Sequence, residues 1–176
     1  MMNNYKLALG SALGFAAISS PAFAQTMDHS GHSMDHGDHQ ALDKDANTDA
    51  SGAVASLAAY RNALVSGDAD AMTALFAEES YIYENGKDEG SFAHYMEHHL
   101  GPELGSIKSF TFTDPTIAVT RMGHMAFARE TYDYRIELAD GRVIEREGAA
   151  TSVLSHDAAG WKIVQYHSSS RAPRKP

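Results

Sequence analysis

Cysteine is absent from all 176 residues. That excludes disulfides, thiolate metal centres and a lipid anchor carried on cysteine. Positive charge is also scarce, with 14 Lys and Arg against 23 Asp and Glu and a formal net charge of -9. An acidic chain with no basic stripe is a poor partner for nucleic acid or an anionic membrane surface. Glycine-rich phosphate loops and nucleophile elbows are missing too, and Ser168 to Ser170 have no recognisable triad setting. The only long apolar run stands at the start of the chain.

That run, "LALGSALGFAAISS", follows a short polar segment containing Lys6 and precedes "PAFA", where Ala22 and Ala24 flank Phe23. A charged start, a short apolar stretch and an A-x-A site form the layout of a secretory signal peptide. The stretch is too short to span a bilayer about 30 Å thick as a helix. Residues 1–24 are therefore expected to be removed, leaving a product with no membrane span, exported most simply to a bacterial periplasm. Cleavage removes only Lys6 among the charged residues, which takes the net charge from -9 to -10.

Residues 25–50 contain six aspartates, one lysine and a single large aliphatic residue, Leu42. Such a segment cannot bury enough apolar surface to offset the entropy of ordering, so disorder is expected. It opens with "MDHSGHSMDHGDH", in which "MDH" occurs twice. His29, His32, His36 and His39 offer imidazole, a ligand for copper, zinc or nickel, and Met27 and Met34 offer thioether, which favours Cu(I). The tract resembles the Met-Asp-His-Ser repeats of periplasmic copper-resistance proteins. That resemblance implies copper as the bound metal, with zinc as the alternative.

From residue 51 the apolar pattern becomes regular, and a domain is expected over 51–172, followed by a short tail at 173–176. Val54, Leu57, Ala58, Leu64 and Val65 recur at helical spacing. Gly67 stops that helix, and Asp68 caps a second one that carries Met72, Leu75 and Phe76. "YIY" at 81–83 reads as a short strand turned by "ENG". "SFAHYMEHHLGPEL" reads as a third helix, capped by Ser91 and ended near Gly101-Pro102. Five extended segments follow, separated at Asp114-Pro115, Met122-Gly123, Asp140-Gly141 and Ala159-Gly160. Helices followed by a run of antiparallel strands predict an α+β domain.

That order resembles the nuclear transport factor 2-like superfamily. The segments that carry the resemblance are "VSGDADAMTALFAEESYIYENG" and "GAATSVLSHDAAGWKIVQYHSSS". More narrowly, the chain is similar to SnoaL-like and calmodulin-kinase-association-like domains. The resemblance implies a cone-shaped, curved antiparallel sheet packed against three N-terminal helices around one pocket, and often a homodimer formed through the sheet.

At 100° per residue, Phe92, Tyr95, Met96, His99 and Leu100 fall on one side of the third helix, while His94 and His98 lie together on the other. His99 is thus expected to face the core or pocket. On the last strand, Trp161, Ile163, Gln165 and His167 share a face by alternation, and the resemblance places His167 inside. His99 and His167 would then meet, with Tyr83 or Glu84 nearby, as metal ligands or as an acid–base pair. Glu130, Glu145 and Glu147 read as outer-face charges paired with Arg129, Arg142 and Arg146.

Two function classes fit. One is an exported metal-binding protein, whose ligands would be the tract together with His99 and His167. The other is a SnoaL-like isomerase, lyase or small-molecule binder that uses pocket histidines. Composition favours the first. A peptide of residues 25–40 is expected to bind both Cu(I) and Cu(II) in a calorimetric or spectroscopic titration. Replacing the four histidines should remove Cu(II), and replacing the two methionines should chiefly weaken Cu(I). Because neutral imidazole is the ligand, affinity should fall below about pH 6.

Overall fold

The computed structural model describes residues 50–174. The expected signal peptide, the tract and its ligands Met27, His29, His32, Met34, His36 and His39 lie outside the described residues, as do the last two residues.

Helix α1 (Ala50–Ser66) buries Ala53, Leu57, Tyr60 and Ala63, a stripe at three- and four-residue spacing. Gly67, at φ 68°, ends it. Its N–H reaches the carbonyl of Leu64, and the N–H of Asp68 reaches that of Ala63, the bond pair of a Schellman stop. Helix α2 (Ala69–Leu75) starts at Asp68, whose side chain accepts from the N–H of Ala71. Phe76, expected on that helix, instead opens strand β1 (Phe76–Glu84). An Asn85-Gly86 turn with two positive φ angles joins β1 to β2 (Lys87–Gly90), the arrangement that tight hairpins favour.

The third helix corrects an expectation. It begins as α3 (Phe92–Tyr95), capped by Ser91, widens into a π turn over Met96–Leu100, and continues as α4 (Gly101–Leu104). Gly101-Pro102 therefore does not end it. Pro102 has no N–H, and its ring would crowd the carbonyl four residues back, so a regular α-helical turn is unavailable there. The chain answers with a wider turn, in which the N–H of Gly101 bonds Met96 O five residues back. Glycine is required at that point, since a Cβ would collide with the same carbonyl oxygen.

Four long strands complete the domain: β3 (Ile107–Met122), β4 (Met125–Leu138), β5 (Val143–Asp157) and β6 (Gly160–Arg171). The sheet order is β2-β1-β6-β5-β4-β3. The fold is α+β, as expected. Every neighbouring pair is antiparallel except β1 with β6, which run parallel.

Two register shifts decide which side chains face the helices. Asp114-Pro115 is not a turn between two strands. It is a bulge within β3, with Asp114 at φ 50° and a shift between Thr113 and Thr116. On β6 the shift lies at Val164, because Leu154 pairs with Ile163 but Val153 pairs with Gln165. Trp161 and Ile163 are buried before the bulge; Tyr166 is buried after it. Simple alternation fails across that point. His167 falls on the outer face instead of the inner one, exposed, with its ring 6.2 Å from that of Tyr83.

Glu130 is another correction. It shares the inner face of β4 with Ala126, Ala128 and Tyr132, its side chain is 2% exposed, and it is paired with Arg61 from α1. Glu147 pairs with Arg171, Glu145 lies 3.6 Å from Arg135, and Arg142 holds Asp140. Arg61→Met would leave Glu130 as an uncompensated buried charge, and a loss of about 3–5 kcal/mol is expected in denaturant unfolding. The double variant Arg61→Met/Glu130→Leu should recover most of it, since a buried ion pair can often be replaced by apolar packing.

Candidate functional site

The β1–β2 hairpin and the third helix bring four ionisable side chains together. Glu84 closes β1, the side chain of Glu89 on β2 is 4% exposed, His99 lies on the π turn, and Glu103 follows one turn later. His99 Nδ1 is 3.1 Å from Glu89 Oε1 and 3.8 Å from Glu84 Oε2, and its Nε2 is 3.5 Å from Glu103 Oε1. The imidazole thus stands between three carboxylates. Lys87 Nζ lies 2.7 Å from the second oxygen of Glu89. The hydroxyl of Tyr95 donates to Glu84 Oε2 at 2.9 Å.

The environments of the carboxylates differ. Burial pushes Glu89 upward, but its hydrogen bond to Lys87 and its charge interaction with His99 outweigh that, so its pKa is lowered. Burial raises Glu103; His99 opposes this, while the charges of Glu84 and Glu89 add to it. Tyr95 is raised well above its ordinary value, by burial first and then by the charge of Glu84. The hydroxyl therefore stays protonated and can act as a donor.

Glu84, Tyr95 and Glu103 stand at the edge of a cavity of about 110 Å³. Its walls come from α1 (Tyr60, Leu64), β3 (Phe110, Phe112), β4 (Tyr132, Tyr134, Ile136) and β6 (Tyr166, Ser168, Ser169, Ser170). The bulge at Val164 is what turns Tyr166 and Ser168 toward it. Gly148 gives Tyr132 its place, because a Cβ there would lie 2.9 Å or closer to two atoms of the ring. A larger depression of about 470 Å³ on the sheet is lined by Asp114, Asp133, Glu147 and Arg171, among others, with no histidine among the described residues. Its Glu147 and Arg171 are already paired.

Of the two domain histidines expected to act together, only His99 lies at this site. His167 is exposed beside Tyr83 and does not line the cavity, so the pair does not share one. His94 and His98 are exposed, with ring centroids 4.4 Å apart, and His94 Nδ1 is 3.0 Å from the carbonyl of Glu89. Tyr83 faces outward; Glu84 faces the site. Glu89 was not legible, since "KDEG" reads as a charged turn. A signal for Glu103 did exist: Tyr95, His99 and Glu103 are spaced four apart, and the π turn keeps them on one side of the helix.

Glutamates 89 and 103 give opposite pH dependences. A lowered pKa means that Glu89 contributes stability above the ordinary value of 4.5, and that this is lost as pH falls through its folded-state value. A raised pKa means that Glu103 costs stability as pH rises above the ordinary value of 4.5, with the full cost reached at its folded-state value. Thermal unfolding across pH 3–7 should therefore show Glu103→Gln more stable than wild type at pH 7, with the difference closing below about 4.5. Glu89→Gln should be less stable at pH 7 and converge with wild type in acid.

Solved structures share this architecture. A candidate ketosteroid isomerase from Shewanella frigidimarina is 28% identical, with a TM-score of 0.59, over 66% of this chain and 94% of that one. A nuclear transport factor 2-like superfamily protein from Salmonella enterica is 20% identical, with a TM-score of 0.61, over 71% and 91%. A candidate scytalone dehydratase from Novosphingobium aromaticivorans is 12% identical, with a TM-score of 0.62, over 70% and 84%. No curated protein matches the chain. The SnoaL-like domain family matches residues 54–173, which takes in every strand, most of α1 and all four ionisable groups around the cavity. The chain belongs to the SnoaL-like family, and its fold is nuclear transport factor 2-like.

Proposed function

We propose that the domain is an acid–base enzyme of isomerase or lyase type, acting on a small molecule held in the tyrosine-lined cavity. The observation that carries this reading is a pair of carboxylates whose surroundings treat them differently. Glu84 accepts a hydrogen bond from Tyr95 at the cavity wall, while Glu103 has a raised pKa. Environments that separate two titratable groups suit one to take a proton and the other to give it. Glu84 is assigned as the base and Glu103 as the acid. His99 lies within 4 Å of both and links them to the Glu89–Lys87 pair behind. Tyrosine hydroxyls kept neutral by burial can stabilise an oxyanion as it forms. The candidate isomerase and dehydratase among the structural relatives are consistent with this chemistry.

A metal-binding reading has one specific observation in its favour. Donor atoms of Glu84, Glu89 and His99 lie within 4.8 Å of one another. Two carboxylates and an imidazole suit zinc or Cu(II) better than Cu(I). Lys87 already holds one oxygen of Glu89, which weakens that reading. The histidine- and methionine-rich tract is proposed as a separate copper ligand of an exported protein.

The test is proton exchange and elimination, followed by NMR in deuterated buffer, on small β-hydroxy and β,γ-unsaturated ketones. Glu84→Gln should slow the reaction by at least about 100-fold, the lower end for loss of a general base. Equal rates in wild type and Glu84→Gln would remove Glu84 from that role. Loss of activity on dialysis against a chelator, restored by zinc, would favour the metal reading instead.

A further inference from the structure

The cavity carries charge of one sign. Glu84 and Glu103 are in its wall, and among the described residues its lining includes no Lys, Arg or His. Of the nearby cations, Arg61 is paired with Glu130 and Lys87 with Glu89, while Arg146 stands outside the lining and acts on Tyr134, where its charge opposes that of Glu84. His99 touches both wall carboxylates, and as a neutral imidazole it leaves the charge of Glu84 uncompensated; Glu103, assigned above as the acid, is favoured in its ionised form once a cation is seated beside it. The influence of Glu84 extends across the space. After burial, its negative charge is among the causes that raise Tyr60, Tyr95, Tyr132 and Tyr134.

The rest of the lining reinforces that sign. Five of its residues are tyrosines. The face of an aromatic ring carries negative quadrupole potential, and a cation over it is attracted. The rings do not form a flat stack. Tyr60 meets Tyr166 at 77°, and Tyr132 meets Tyr134 at 47°, so ring faces and edges bound the space from several directions. A neutral ligand gains at most hydrogen bonds from the two carboxylates, an anionic one is repelled, and a cation gains the charge interaction as well. A space of about 110 Å³ admits only a few non-hydrogen atoms.

We propose that the cavity binds a small organic cation, a protonated or quaternary amine whose charged head lies against Glu84 and Glu103 and on the tyrosine faces. Ser168, Ser169 and Ser170 line the same space and offer hydroxyls to a second polar group on the ligand. This names the ligand class of the site proposed above and rests on that cavity being the site. It concerns binding, so it is tested without turnover.

The experiment is calorimetric titration of the full chain in chelator-containing buffer with choline, tetramethylammonium and the uncharged choline isostere 3,3-dimethylbutan-1-ol. Choline should bind at least tenfold more tightly than the isostere. Glu84→Gln should weaken choline at least tenfold and leave the isostere unchanged, which also separates the cavity from weak cation binding by the acidic tract. Should Glu84→Gln fail to fold, Glu103→Gln is expected to move choline affinity in the same direction. Equal affinity for choline and its isostere, choline affinity unmoved in the folded variant, or no binding of either cation at millimolar concentration would overturn the proposal. Cation binding with no reaction of any ketone would remove the enzymatic reading and leave this one standing. Reaction of neutral ketones with no cation preference would do the reverse.

Discussion

Everything in this domain depends on covering the inner face of one curved sheet, and the side chain at the centre of that cover is Tyr60. Its ring packs edge-on against Phe76 at 5.1 Å, Tyr166 at 5.2 Å and Phe92 at 6.1 Å. Those three residues belong to β1, β6 and α3, so one ring ties α1 to three other elements. Ala53 and Ala63, small and buried, let α1 lie close to the sheet. Arg61, the next residue along, reaches the buried carboxylate of Glu130. The cavity is the part of the inner face where α1 and the third helix leave space. Its tyrosines are thus continuous with the core that holds the domain together, and the rings that line the cavity belong to the same aromatic layer.

Much of this was legible in the chain. The two caps, Asp68 and Ser91, the stop at Gly67 and the Asn-Gly turn rest on local chemistry that no distant contact overrides. The inward turn of His99 followed from helical angle alone. What failed was parity. A single extra residue at Val164 reverses every side chain after it, so His167 and Ser168 exchange faces. The bulge leaves no mark in composition, because Val164 is as suited to a strand as its neighbours are. Pro102 misled for a different reason: a proline usually stops a helix, and here a π turn accommodates it. Glu130 could have been placed, since it alternates in step with Ala126, Tyr132 and Ile136. An inward acid needs a partner, however, and Arg61 is 69 positions away.

The acidic groups are held in two layers. Glu89, the more deeply buried, is anchored by Lys87 and faces His99. Glu84 and Glu103 border the cavity. The two layers differ in their surroundings: the Lys87 ammonium and His99 hold Glu89 below its ordinary pKa, whereas burial raises that of Glu103. His99 connects the layers through its two ring nitrogens, one directed to each.

The parallel pairing of β1 with β6 has a consequence for assembly. Strands β3 to β6 follow one another as hairpins, and their contacts are local. Strand β1 instead docks beside the last strand, with Glu84 opposite Ser168, a separation of 84 positions. Pairings between distant segments pay their loop-closure entropy before any contact rewards them, and they form late. Glu84 and Glu89 therefore leave the ribosome early but are seated only when the end of the chain arrives. Until then the hairpin that carries both acids has no sheet to join. A chain cut short within β6 would retain every ionisable group of the site and still have no site.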